Sequence, residues 1–286
     1  MNPAGRPRGQ ETRAGNPLRE AGPVLFGVLN VTPDSFSDGG DFLDPDAAVA
    51  HAGSLLDEGA YAIDVGGEST RPGADAVTLE VELRRVLPVV RGILELRPEA
   101  VVSVDTYRAS TAEAALDAGA GVVNDVTALR GDPKMAKLVA DAGCPVVLMH
   151  MLGTPKTMQR EPRYGDVVAE VREFLARRAG YAISAGVKPE NVVLDPGIGF
   201  GKTRQHNLKL LNDLNVLVGL GLPLLVGASR KRFLGGITGA EDPKDRVFGT
   251  VATSVMAYER GATLFRVHDV RANREALEVA AAVRRA

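Results

Sequence analysis

The sequence predicts a single (β/α)8 barrel. Short apolar runs rich in Val, Ile and Leu alternate eight times with longer helix-like stretches from residue 24 onward. The runs stay apolar throughout, so each reads as a parallel strand covered on both faces. A length of 286 residues suits one barrel, and no linker interrupts the eight units. An open doubly wound sheet is the alternative architecture.

Residues 1–22 are rich in Arg, Pro, Gly and Asn and lack an apolar core. They read as a disordered leader rather than a secretory signal, which leaves 23–286 as the barrel domain. The first strand, 24–29, ends in Asn30 and a polar, turn-forming loop that runs to Gly40. GVLNVTPDSFSDGG thus gathers donors, acceptors and carboxylates at the C-terminal end of a strand, where α/β folds bind ligands. Helix 46–58, closed by Gly59, leads to strand 61–65, which carries Asp64 and opens into GGESTRPG at 66–73. Helix 79–96 precedes strand 101–104 and Asp105; helix 109–118, closed by Gly119, precedes strand 121–124 with Asn124 and Asp125 at its end. Helix 132–142 leads to strand 145–149, ending in Met149 and His150, and helix 165–186 leads to strand 192–194 and Asp195. Helix 205–214 precedes strand 223–226, followed by Ser229, Arg230 and Lys231. Helix 244–260 precedes strand 263–266 with Arg266 and His268, and helix 271–284 closes the chain. Polar or ionisable groups at all eight strand ends would converge on one mouth.

Composition narrows the chemistry. The formal charge is -2, from 34 basic and 36 acidic side chains, so no general affinity for nucleic acid or anionic membranes follows. An anionic substrate has to be met by local positive charge. The single cysteine, Cys144, excludes an intrachain disulfide and a cysteine-based zinc cluster, and it sits beside an apolar run as a buried thiol would. No apolar run reaches the ~18 residues of a membrane span. A reducing, cytoplasmic setting is expected.

Asp105, Asn124 and Asp195 suit a nitrogen heterocycle: carboxylates accept paired N–H bonds, and an amide both donates and accepts. Each aspartate could equally cap the helix that follows it. Lys231, Arg266 and His268 suit phosphate oxygens, with Arg266 and His268 on one face of an extended segment. Arg230 and Arg232 read as well as a solvated basic turn. PGIGFGKT, 196–203, departs from the phosphate-binding P-loop because Pro196 replaces its first glycine, so nucleoside triphosphate binding is rejected. Its glycines would let the backbone turn sharply beside a flat ligand, with Phe200 as a wall, or serve the turn alone. Asn30 could ligate Mg²⁺ together with substrate phosphates, or hold its own loop. The four histidines show no zinc spacing.

These motifs, with VSVDT, VVND, LMH, DPGIGFGKT, GASRKRF and FRVHDV following in order, resemble the dihydropteroate synthase family of pterin-binding enzymes from residue 24 to the end. The resemblance implies a TIM barrel, usually a homodimer, in folate biosynthesis and a target of sulfonamides. It would join 4-aminobenzoate to 6-hydroxymethyl-7,8-dihydropterin diphosphate, releasing diphosphate by a dissociative substitution. By motif position, Asp105, Asn124, Asp195 and Lys231 would hold the pterin, with Met149 packing on it. Asn30, Thr70, Arg266 and His268 would take the diphosphate, with Mg²⁺ at Asn30. Thr70 and Arg71 would close over the reacting groups, and Asp38 would act near the metal and the developing cation. Phe36, Pro72, Phe200 and Lys231 would shape the aminobenzoate pocket. Where some members carry Ser after the SRK lysine this chain has Arg232, which would meet the aminobenzoate carboxylate only by turning inward. Two other readings share the barrel. A pterin-dependent methyltransferase would not need the STRPG and SRK loops, and a non-catalytic paralogue would have lost groups such as Lys231 or His268, which this chain keeps.

Overall fold

Eight parallel strands form the core of the structure, a computed structural model that describes residue 18 and residues 22–32 and 44–286. They are β1 (Val24–Asn30), β2 (Ala62–Gly66), β3 (Val101–Asp105), β4 (Val122–Asp125), β5 (Val146–Met149), β6 (Val192–Asp195), β7 (Leu225–Val226) and β8 (Leu264–Val267). Their order is β6-β5-β4-β3-β2-β1-β8-β7. The Leu194–Leu224 bridge and the bond from Leu194 N to Pro223 O, 2.9 Å, join β6 to the segment leading into β7 and bring the sheet round into a barrel. The doubly wound alternative is thereby excluded.

Strand alternation divides the apolar residues into two sets. Phe26, Ala62, Val122, Val147, Val193 and Leu264 pack together inside the barrel. Their neighbours Leu25, Ile63, Val123, Val146, Val192 and Phe265 join the larger core that faces the helices. This two-sided burial is why the strands lack polar alternation. From the expected leader, Leu18 packs into the inner set and is 2% exposed.

Ten α-helices surround the barrel among the described residues: α1 (Pro45–Asp57), α2 (Leu79–Leu96), α3 (Ala109–Asp117), α4 (Met135–Ala142), α5 (Val167–Ser184), α6 (Arg204–Asn212), α7 (Leu214–Val218), α8 (Arg232–Thr238), α9 (Val247–Glu259) and α10 (Val270–Arg285). Side-chain caps explain several starts: Asp44, Thr78, Asp166 and Thr203 accept from first-turn amides of α1, α2, α5 and α6. The structure differs from expectation in three places. Helix 205–214 is two helices that share Asp213, the seventh strand is only two residues long, and α8 follows it directly. Edge closure by one bridge leaves β7 little ladder to extend along.

Candidate functional site

The inward-facing positions become polar at the C-terminal end of the barrel. Strand register pairs Asp64 with Ser103, Asp105 with Asn124, and Met149 with Asp195. A one-residue slip in any strand would turn its polar group out to the helices, so the apolar pattern below fixes the chemistry above. Arg266 crosses this layer. Its Nε donates to Asp64 Oδ2 at 2.5 Å and its Nη2 to Asp105 Oδ2 at 2.9 Å, so that among the described residues Nη1 is left for an anion. Asn124 Nδ2 also donates to Asp64 Oδ2, at 3.0 Å. Asp64 Oδ1 and Ser103 Oγ, in residues that are 0% exposed, are buried without a hydrogen-bond partner among the described residues.

Burial raises the Asp105 carboxyl to about 7 against the pull of Arg266. Asp195 is also raised by burial, against the pull of Lys231. Neither aspartate caps a helix. Asp195 Oδ1 accepts from Gly197 N at 2.6 Å, and Arg108, not Asp105, precedes α3.

The turn after β6 is shaped by its glycines. Gly197 has φ of 63°, and a Cβ there would lie 1.9 Å from the His150 carbonyl oxygen. The turn presents Phe200, half-buried, to Lys231, whose Nζ lies 4.2 Å from the ring centroid and donates to Ile198 O. Burial lowers Lys231 to about 7, opposed by Asp195. Underneath, Lys202 is 3% exposed and donates to Gly197 O at 2.9 Å and Phe200 O at 3.0 Å, with His150 Nδ1 at 2.9 Å. Burial and Lys202 push His150 down to about 2, so this imidazole is neutral and its Nδ1 accepts. The sequence reading overlooked Lys202 as a structural tie. Its only signal was a lysine closing a glycine-rich turn.

Beside β8, the Ser229 hydroxyl accepts from His268 N at 3.1 Å and lies 2.9 Å from His268 Nδ1. Burial and the surrounding Arg230, Arg266, Arg71 and Lys231 lower His268 to about 3. His268 is therefore neutral near pH 7, and a hydroxyl donating to Nδ1 leaves Nε2–H for an acceptor. Arg230 is not a solvated turn residue. It pairs with Asp269 through two bonds of 2.5 and 3.0 Å.

Of the other expected site residues, Met149 is buried with Val126, Met151 and Met158, against Phe200 and Tyr107. Asn30 is half-buried at the end of β1. Thr70 is half-buried, while Arg71 and Pro72 are exposed in the loop after β2. Arg232 is exposed at the start of α8. Phe36 and Asp38 lie outside the described residues. A cavity of about 650 Å³ lies at the mouth, walled by Thr70, Tyr107, Val126, Arg130, Met151 and Lys156. The arrangement can bind a flat polar heterocycle against Met149 and place an anion beside Arg266 and His268.

Comparison with known proteins agrees with this layout. Residues 26–268 match the pterin binding enzyme family. A dihydropteroate synthase of Mycobacterium leprae (strain TN) is 52% identical over 265 residues, covering 90% of this chain and 92% of that protein. The structure of Xanthomonas albilineans dihydropteroate synthase with 4-aminobenzoic acid superimposes with a TM-score of 0.87 at 49% identity, covering 93% of this chain and 94% of that one. The same organism's enzyme in complex with 7,8-dihydropteroate gives 0.83 at 46% identity, covering 93% and 95%.

Proposed function

The chain belongs to the pterin binding enzyme family, and on that premise we propose that it is a dihydropteroate synthase, a transferase that condenses 6-hydroxymethyl-7,8-dihydropterin diphosphate with 4-aminobenzoate. The observation that carries the proposal is the polar layer of Asp105, Asn124, Asp195 and Arg266 at one barrel mouth beside Lys231. Asp105 and Asp195 accept N–H bonds from the amino-pyrimidine edge of the pterin, Asn124 pairs with the ring, and Met149 packs on its face. Arg266 Nη1, His268 Nε2–H, Asn30 and Thr70 receive the diphosphate, and Arg71 closes over the reacting groups. Phe200, Pro72 and Lys231 bound the aminobenzoate.

The bond between the exocyclic methylene and the diphosphate oxygen breaks first. The electron pair leaves with diphosphate, where Arg266 and His268 stabilise it. The methylene cation, stabilised by the electron-rich dihydropterin, is then attacked by the aniline nitrogen, which gives up its proton to the released diphosphate. That nitrogen is neutral at pH 7 and needs no strong base. Closure of the loop after β2 keeps water from the cation.

Mg²⁺ fits this site only with help from the substrate. Among the described residues no group of three His, Cys, Asp or Glu could hold a cation. The Asn30 amide oxygen can complete a shell of diphosphate and water oxygens, which is how Mg²⁺ commonly binds. There it would offset charge on the leaving diphosphate.

Exposed apolar side chains support a homodimer. Phe248 is 87% exposed and Met256 46% on α9, and Val283 is 71% and Val279 65% on α10, which packs against α9. Phe248→Glu is expected to convert the dimer to a monomer in sedimentation velocity, and wild-type protein sedimenting as a monomer would contradict the assignment. None of the described helices is long and apolar enough to cross a membrane. Cys144 is a free thiol raised by burial to about 11, in keeping with the proposed cytoplasmic setting.

Titration of Asp105 gives a further expectation. Both of its oxygens accept the paired pterin N–H groups only when it is ionised, and its folded value is about 7. Pterin affinity measured by calorimetry should therefore weaken as pH falls through 7, because protonation turns one of the two acceptors into a donor and removes the charge. Asp105→Asn should bind weakly at every pH; the same acid limb in that variant would exclude Asp105 as its source. Mass-spectrometric detection of 7,8-dihydropteroate from the two substrates tests the proposed function itself, and its absence with folded protein would defeat it.

A further inference from the structure

The loop that carries Thr70 and Arg71 is rooted in a polar cluster that the proposed chemistry does not use. Glu82, in the first turn of α2, is fully buried. Its carboxylate accepts from Thr106 Oγ1 at 2.7 Å, Thr111 Oγ1 at 2.7 Å and Arg108 Nη1 at 2.8 Å. The same Arg108 Nη1 lies 2.8 Å from Glu68 Oε2, and its Nη2 donates to Val77 O at 2.6 Å. Glu68 also accepts from Tyr107 Oη at 3.0 Å and from Val77 N at 3.1 Å. Arg85 Nη1 donates to Gly67 O at 2.9 Å.

Four elements meet here. Glu68 lies two residues before Thr70, in the loop after β2, and Val77 lies near the far end of that loop. Thr106, Tyr107 and Arg108 follow Asp105 directly. Glu82 belongs to α2 and Thr111 to α3. The backbone approaches so closely that a Cβ on Gly67 would stand 2.8 Å from Val86 Cγ2 and 3.2 Å from the Glu82 carbonyl oxygen. Register places Gly66 opposite Asp105, so the loop leaves β2 alongside that aspartate. One guanidinium therefore ties both ends of the loop, at Glu68 and Val77, to the strand end that carries Asp105. A planar guanidinium can hold two carboxylates and a carbonyl at once; an ammonium lacks that fork.

We propose that Arg108, clamped between Glu68 and Glu82, is a positioning residue that sets the Thr70–Arg71 segment relative to Asp105 and so aligns the diphosphate end of the substrate with its pterin end. The proposal rests on the dihydropteroate synthase reading. Arg108 acts through the loop, and its removal should affect the leaving group's surroundings more than the heterocycle's.

The test compares wild-type protein with Arg108→Met. Hydrogen exchange read by mass spectrometry should speed up in peptides covering 68–78 and stay unchanged over 101–105. kcat/KM for the pterin diphosphate should fall at least about tenfold, since small misplacements of a positioning segment cost that much. The affinity for 6-hydroxymethyl-7,8-dihydropterin, which lacks diphosphate, should stay within about twofold. Unchanged exchange over 68–78, an unchanged kcat/KM, or an equal loss of affinity for the diphosphate-free pterin would each overturn the proposal. Should the Met variant fail to fold, Arg108→Lys keeps a charge beside Glu82 without the fork, and the same three measurements decide on it. A wild-type protein that forms no dihydropteroate would remove the functional reading instead, while the exchange data would still decide whether Arg108 orders the loop.

Discussion

Lys231→Ala is expected to lower kcat/KM by about 10²–10³ for the pterin diphosphate and to raise the KM for 4-aminobenzoate as well. Its Nζ sits where three parts of the site meet: it donates to Ile198 O, lies 4.2 Å from the Phe200 ring centroid, and feels the Asp195 carboxylate. Alanine removes the cation nearest the proposed junction of pterin and aminobenzoate. It also leaves Asp195 raised by burial without the charge that opposes the rise, so the carboxylate needed by the pterin becomes harder to ionise. The alkaline side of the wild-type profile carries the same information. Lys231, held at about 7, loses its proton as pH rises, and an alkaline limb dependent on it should vanish in the variant. Steady-state kinetics varying each substrate checks this, and turnover within threefold of wild type would remove Lys231 from the reacting centre.

Arg266→Ala combines a stability loss with a functional one. Two carboxylates, Asp64 and Asp105, are bridged by this guanidinium, and their side chains are 0% and 8% exposed. Removing one partner from a buried pair leaves an uncompensated charge and costs about 3–5 kcal/mol. At ~2–3 °C per kcal/mol for a chain of this size, Tm should fall by about 6–15 °C. The sign with pH follows from the acids. Asp105, raised by burial to about 7 even with the guanidinium beside it, protonates as pH falls and then no longer needs the cation, so the deficit relative to wild type should be smaller at pH 5 than at pH 8. Diphosphate affinity should fall too, because the Nη1 donor is lost. Thermal denaturation at the two pH values checks the account; a Tm within 2 °C of wild type at pH 8 would show that the bridge contributes little.

Much of this molecule was legible in the sequence because local pattern and tertiary position coincide in a barrel. Continuous apolar runs marked the strands, and the residues just after them marked the mouth; α2 spans the expected 79–96. Asp105, Asn124 and Asp195 line one layer because strand register puts them there, as their positions at successive strand ends implied. Side-chain pairing was not legible. Arg266 is engaged with Asp64, 202 residues away in the chain, and no local spacing reports such a contact. The same holds for Lys202 with His150, 52 residues apart, and for the Arg108 cluster, in which a buried glutamate on an amphipathic helix looked like any other first-turn acid. The split at Asp213 between α6 and α7, the shortness of β7 and the helix α8 were not legible either, because element ends follow backbone hydrogen bonds that the apolar pattern does not report.

The most direct test of the central claim follows diphosphate release from 6-hydroxymethyl-7,8-dihydropterin diphosphate, with and without 4-aminobenzoate and Mg²⁺. With both present, the account predicts one diphosphate released for each 7,8-dihydropteroate formed. No diphosphate release under any of these conditions, from folded protein, would contradict it.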